Sequence, residues 1–243
     1  MSTSGSSIRT NNARAGKSTG KLSVVKPFLV VAILVCSALS VALFLAHRSQ
    51  GDEPAAKPVD SIVGTKSTPT AKGWTRGNPA AKTVLIEFAD FQCGSCGRAS
   101  VVVGELIKKH GEELLLVFKH FPLEVVHRNA LIASQAAEAA GRQYKFWEMY
   151  ELLFKHQVDW ANVPDAQTFF LNYAAELQMD LEKFQRDLWD SELRDKIYKD
   201  VLEGQVAQVT QTPTFFLNGV RMPTTKSEAE FEQLITDAIR KAK

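Results

Sequence analysis

The chain has 243 residues, 45% of them hydrophobic and 23% charged, with a formal net charge of +2. This composition excludes wholesale disorder and a many-span membrane protein, and the balanced charge argues against a nucleic-acid binder. Three cysteines are too few to staple a disulfide mini-protein, so stability must come from a packed core.

The charge is uneven. Residues 1–26 carry Arg9, Arg14, Lys17, Lys21 and Lys26 and no acid, so this tail is +5 and the remainder −3. The tail is otherwise Ser, Thr, Gly and Asn and reads as disordered. Residues 27–46 form an uncharged, apolar run, and twenty helical residues span about 30 Å, the thickness of a bilayer core. A cleaved signal peptide has a shorter apolar region of about 7–15 residues. Ser40-Val41-Ala42 resembles a cleavage site, but the run continues through Leu43-Phe44-Leu45. The expectation is a single-pass signal anchor with the basic tail in the cytoplasm and Cys36 an ordinary apolar-helix residue. Residues 47–72, with Pro54, Pro58 and Pro69, read as a flexible linker with a span of roughly 30 Å. The folded domain is expected over 73–242, outside the cell membrane in an oxidising compartment.

Thr83–Phe88 is a short apolar, β-branched run that fits a buried parallel strand. Cys93-Gly94-Ser95-Cys96 follows, then apolar or small residues at helical spacing (Cys96, Ala99, Ser100, Val103, Leu106, Ile107) up to Gly111. Leu114–Phe118 reads as a second buried strand, completing a βαβ unit. From about 125 to 206 the pattern is helical. Ala130, Ala133, Ala136, Ala137 and Ala140 make a small-residue face, Pro164-Asp165 signals a helix start, and Asp180 signals a cap. Trp147, Phe169, Phe170, Tyr173 and Trp189 read as core. Phe215–Leu217 reads as a strand, Asn218-Gly219 as a two-residue hairpin turn, and Ser227 with Glu230 as the capping box of a last helix.

The chemistry centres on Cys93 and Cys96. Alone, a CxxC pair is weak: it could be half of a zinc site, or chance. Here it follows a strand and opens a helix within a βαβ unit, the setting of a redox motif. Unpaired N–H groups and the positive helix end stabilise a thiolate at that position. Cys93, at the helix mouth, is expected to be the nucleophile. Cys96, one turn further in and close enough for a disulfide, is expected to be the resolving thiol. His110, His120, His127 and His156 show no finger-like spacing, Gly97 excludes a CxxCH haem site, and each histidine reads as surface or helix-end.

In Val84–Cys96 (VLIEFADFQCGSC), Lys119–Leu123 (KHFPL), Ala136–Ala140 (AAEAA), Lys145–Glu148 (KFWE) and Thr212–Gly219 (TPTFFLNG), the chain resembles the DsbA-like thiol-disulfide oxidoreductases of the thioredoxin superfamily. The resemblance implies a thioredoxin-like α/β fold (βαβ…ββα) with an inserted helical subdomain. It implies a cis Pro213 beside the cysteines, with the Thr212 backbone free to pair with substrate, and Glu87 as a proton-transfer acid. A partly buried Glu87 paired with Lys119 or another base is the competing reading. Many relatives carry Pro-His or Pro-Tyr between the cysteines; Gly94-Ser95 here is expected to make a less extreme oxidant. Gln211 stands where relatives often have glycine. The function so implied is disulfide exchange with exported proteins, with no cofactor and with a quinone-linked oxidase as membrane redox partner. The alternative is a redox-inert metal-binding or carrier module built on the CxxC thiolates.

Overall fold

The computed structural model describes residues 68–225 and 227–242. The expected basic tail, the anchor at 27–46 and the linker as far as residue 67 lie outside the described residues. Among the described residues no helix is long and apolar enough to cross a membrane.

Five strands form one sheet, ordered β1-β3-β2-β4-β5: β1 (Trp74–Gly77), β2 (Thr83–Ala89), β3 (Leu114–His120), β4 (Thr214–Leu217) and β5 (Val220–Arg221). β2 and β3 are parallel, joined through helix α1 (Gly94–His110), as the βαβ reading requires. β4 runs antiparallel to β2, with Phe88 opposite Thr214 and Leu85 opposite Leu217. This register sets the residue that follows Pro213 beside the carboxyl end of β2. The β4–β5 turn has Asn218 at φ 50° and Gly219 at φ 80°, the left-handed pair a type I′ hairpin demands. Asn218 also clamps the start of β2, its N–H donating to Val84 O and its Oδ1 accepting from Val84 N, both at 2.8 Å.

Alternation along the strands makes two cores. On one face Leu85, Leu114 and Leu116 meet Val103 and Leu106 of α1, and Phe231, Ile235 and Ile239 of α8 (Glu228–Ala242). On the other, Ile86, Phe88, Leu115, Val117 and Phe216 pack with Phe121 and Val209. Ser227 caps α8, its Oγ accepting from Glu230 N at 3.2 Å.

Between β3 and β4 stand helices α2 (Ala130–Gly141), α3 (Phe146–Lys155), α4 (Gln157–Trp160), α5 (Gln167–Glu176), α6 (Leu181–Leu188) and α7 (Ser191–Val206). The alanine face of α2 is fully buried, because only small side chains let the neighbouring helices approach it. Asp180 caps α6 by accepting from Lys183 N at 2.9 Å.

Four readings are corrected. β1 escapes the sequence because four residues of alternating burial carry too little pattern; it is an edge strand, with Trp74 opposite Phe118. α5 starts at Gln167 rather than Pro164, since Asp165 uses its carboxylate on Gln167 N in a local turn at 3.0 Å. His120 is neither surface nor helix-end: it is fully buried in β3, its Nε2 3.0 Å from Glu138 Oε1. Glu138 also accepts from Trp74 Nε1 and Lys196 Nζ, each at 2.7 Å, so one buried carboxylate ties β1, β3, α2 and α7 together. Trp189 is 61% exposed, not core, because it falls in the break between α6 and α7.

Candidate active site

β2 ends at Ala89, and the loop to α1 is braced at nearly every residue. Asp90 Oδ1 accepts from Gln92 N at 2.7 Å, while Oδ2 accepts from Leu123 N at 2.8 Å and faces His127 Nδ1 at 2.7 Å. Burial nevertheless pushes the Asp90 carboxyl above its ordinary range, against these bonds. The helical insertion grips the same loop. Gln92 donates to Ala161 O at 2.6 Å and accepts from Asn129 N at 2.7 Å. Gln157 Nε2 donates to Phe91 O at 2.6 Å and to Cys93 O at 3.0 Å. Of these braces only Asp90 had a sequence signal, an Asx residue directly after a strand. Gln92, Asn129 and Gln157 had none, because their partners lie far away in the chain.

Cys93 is the N-cap of α1, with extended φ −74° and ψ 118°. Its sulfur lies 2.9 Å from Ser95 Oγ and 3.4 Å from Thr212 O. Cys96, one turn on, is completely buried, and both cysteines are free thiols. The Cys96 thiol, then the Ser95 hydroxyl, stabilise charge on Cys93 and bring its pKa down to about 4 despite burial. Cys96 moves the opposite way, driven up by burial and by the neighbouring Cys93 charge. The two thiols are thus shifted in opposite directions, the outer one toward the thiolate and the inner one toward the thiol.

The Thr212–Pro213 peptide bond is cis. Thr212 is buried beside Cys93 although the two are 119 positions apart in sequence. Its carbonyl accepts from Cys93 Sγ and, at 3.2 Å, from Ser95 Oγ. In the free dithiol form this carbonyl is therefore engaged by the site itself. Gln211 uses its backbone oxygen to accept from Thr214 Oγ1 at 2.7 Å. Along one flank of Ser95 opens a groove of about 580 Å³, lined among others by Arg98, Val102, Thr212, Pro213, Phe215 and Met222.

Glu87 lies on the face of β2 that also carries Leu85 and Ala89. It is fully buried, and neither carboxylate oxygen has a hydrogen-bond partner. Burial raises its pKa to about 8. The reading that pairs it with Lys119 is overturned. Lys119 points to the opposite face, where its ammonium donates to Glu203 at 2.7 Å and lies 3.6 Å from Asp200. Among the described residues no cluster of three or more His, Cys, Asp or Glu side chains is arranged to hold a metal ion.

Comparison with known proteins agrees with this architecture. A family model described as Thioredoxin matches residues 69–237. The chain is 26% identical to a thioredoxin-like oxidoreductase from Silicibacter pomeroyi, covering 70% of this chain and 93% of that one with a TM-score of 0.58. It shares its fold with α-DsbA1 of Wolbachia pipientis, at 24% identity, a TM-score of 0.63, and coverage of 72% and 94%. Among curated sequences it is 40% identical over 146 residues to the Na(+)/H(+) antiporter NhaA 3 of Salinispora tropica. That match takes in 60% of this chain but 22% of the antiporter, so the chain spans less than a quarter of that relative's length. With strand, CxxC helix and Thr-Pro loop in the family's order and the family model matched over residues 69–237, the chain belongs to the thioredoxin family.

Proposed function

We propose that this protein is a thiol-disulfide oxidoreductase that exchanges disulfides with exported proteins through Cys93 and Cys96. The observation that carries the reading is the placement of the two thiols: Cys93 is the N-cap of α1 with its sulfur against Ser95 Oγ and Thr212 O, and Cys96 is buried one turn inside, with the Cys93 thiol shifted down and the Cys96 thiol up accordingly. A substrate thiolate attacks Cys93 of the oxidised pair and forms a mixed disulfide. A second substrate thiolate attacks the substrate sulfur of that bond, which releases oxidised product and leaves the enzyme as a dithiol. Thr212 and Pro213 flank the sulfur and offer backbone beside it, and Glu87 exchanges a proton with Cys96. A stabilised Cys93 thiolate favours the dithiol, and so favours the oxidising direction.

The apolar run at 27–46 supports a membrane tether that holds the domain on the extracytoplasmic side, where a quinone-linked oxidase would restore the disulfide. An alkaline carbonate wash checks the tether: the full chain should stay with the membranes, and release into the supernatant would remove it. The equilibrium reduction potential against glutathione tests the function. The value should fall nearer about −120 mV than about −270 mV, the span between a strong oxidant and a reductant. A potential at the reducing end, or no exchange at all, would sink the oxidase reading.

A further inference from the structure

The groove beside Ser95 begins at the nucleophile, because Ser95 Oγ both lines it and lies 2.9 Å from the Cys93 sulfur. Among the described residues, its charged lining groups are Arg98 of α1, Arg221 of β5 and Glu228 of α8. Arg98 is exposed and has no hydrogen-bond or ion-pair partner among the described residues. Side chains on a helix lean toward its N-terminus, and Arg98 Nη1 comes within 3.9 Å of the place that a Cβ on Gly94 would take. The guanidinium therefore lies back along the first turn of α1, beside the residue that follows Cys93, and Gly94 leaves that space open. No acidic residue occupies this first turn, and the positive end of α1 adds to the same field.

Arg221 contributes a second cation. Its Nη1 donates to Gln208 O at 2.6 Å, which fixes the side chain on the groove wall, with no carboxylate in ion-pair range among the described residues. Glu228 is the counter-charge, but it stands in the first turn of α8, where the positive helix end offsets it. The groove is thus positive on its approach to the sulfur. This runs against the body of the chain: residues 27–243 carry −3, the chain's +2 less the tail's +5.

We propose that Arg98 is a specificity-determining residue that selects substrates carrying an acidic side chain close to the reacting cysteine, with Arg221 extending the same positive lane. The inference rests on the function proposed above and adds the charge of the substrate to it.

The reach is adequate. A substrate segment laid extended beside Thr212 and Pro213 advances about 3.3 Å per residue, and a helical turn rises about 5.4 Å. An Asp or Glu within about three residues of the substrate cysteine therefore comes level with the Arg98 guanidinium. That planar fork can give a carboxylate two parallel N–H donors. The pairing is available in the encounter complex and in the mixed disulfide alike, so it lowers KM more than it raises kcat. A basic residue at the same place is repelled. The chemistry served is unchanged and balances. One peptide thiolate bonds to the Cys93 sulfur while the Cys93–Cys96 bond breaks, and the Cys96 thiolate takes up a proton. The second peptide thiolate attacks the peptide sulfur and expels Cys93 as a thiolate. Two electrons pass from the peptide dithiol to the protein disulfide.

The test uses oxidised full-length protein and two-cysteine peptides that differ at one position, carrying Asp, Asn or Lys. The variable position is moved in turn through the three residues on either side of one cysteine. An acidic neighbour raises the peptide's own thiol pKa and a basic one lowers it. Each rate is therefore divided by the rate of the same peptide with hydroxyethyl disulfide, a small neutral oxidant. An exposed ion pair is worth a factor of about 1.5 to 5. At the most sensitive position the corrected kcat/KM should favour Asp over Lys by about fivefold, attraction and repulsion together, and mostly through KM. Salt at about 1 M, where the screening length is about 3 Å, should shrink the preference.

Arg98→Gln should remove most of this Asp-to-Lys ratio and Arg98→Glu should invert it. Each ratio is taken on one protein, so any change in the Cys93 thiol cancels. Lys155→Gln, at the far end of α3, removes the same net charge away from the groove and should leave the ratio unmoved. An Asp-to-Lys ratio near one at every position in the wild type overturns the proposal. So does a ratio that survives Arg98→Glu, one undiminished in high salt, or one that Lys155→Gln lowers as much as Arg98→Gln. Failure of the wild type to oxidise any of the peptides sinks the proposed function instead, whereas equal oxidation of all of them sinks only the charge selection.

Discussion

Replacing Ser95 with alanine probes the physical origin of the Cys93 thiolate. When Cys93 is a thiol, it and Ser95 both direct hydrogens at Thr212 O, 3.4 and 3.2 Å away. Ionisation makes the sulfur an acceptor only, so the Ser95 hydroxyl must turn its single proton to the sulfur at 2.9 Å. A hydrogen bond to a charged group contributes about 1.5–3 kcal/mol, and one pKa unit is about 1.4 kcal/mol. Ser95 is only half-buried, which places the loss at the lower end, about one unit. The Cys93 pKa should therefore rise from about 4 by that amount. The thiolate is favoured by folding, so the stability it lends the reduced protein is complete above the ordinary thiol pKa of 9.0 and is lost as pH falls through about 4. At pH 7, between the two values, much of that stability is present. Ser95→Ala should remove about 1.4 kcal/mol of it, lower the reduction potential by about 30 mV, and leave the melting of the oxidised form unchanged. Ultraviolet thiolate absorbance against pH, the glutathione potential, and melting of both redox forms measure the three effects. An unmoved or lower Cys93 pKa, or a raised potential, would refute the electrostatic account.

Cys96→Ala should accumulate thiol-sensitive mixed disulfides with substrate on a non-reducing gel, whereas Cys93→Ala should form few; adducts through Cys96 with Cys93 silent would reverse the assigned roles. Glu87→Leu should stabilise the fold at neutral pH. A carboxyl raised from 4.5 to about 8 is unfavourable across that window, by about 3 kcal/mol at pH 7; the advantage in chemical melts should vanish below pH 4.5, and a pH-independent difference would contradict it. Asn129→Ala should destabilise by about 2 kcal/mol or more, because its side chain serves the carbonyls of Trp160, Ala161 and Val163. The same variant should broaden amide signals in the loop around Cys93, and a quiet loop would mean that the insertion does not brace the site. Gly141→Ala, whose Cβ would come within 2.3 Å of the Trp74 ring, should cost about 1–3 kcal/mol and loosen β1, read as faster amide exchange there.

Local chemistry was enough for several features. Apolar runs at 83–88 and 114–118 became strands because their length and branching suit a doubly covered sheet. Asn218-Gly219 became a hairpin because both positions need positive φ. Asp180 and Ser227 became caps because their side chains reach the N–H three residues on. Cys93 and Cys96 could be ranked as outer and inner thiol from helix geometry alone. The remainder depended on groups brought together from far apart. The chain does not mark Lys119 as belonging to Glu203 rather than Glu87; strand alternation puts the two side chains on opposite faces of the sheet. His120 reads as an ordinary histidine until β3 carries it inside against Glu138. Gln157 and Asn129 have no motif, and they matter because the insertion folds back over the loop before Cys93. Spacing placed Glu87 six residues before Cys93, but its isolation from any hydrogen-bond partner is a property of the assembled core. A residue's near neighbours in sequence limit its backbone and its period. Its desolvation and its partners are set only when distant segments close around it.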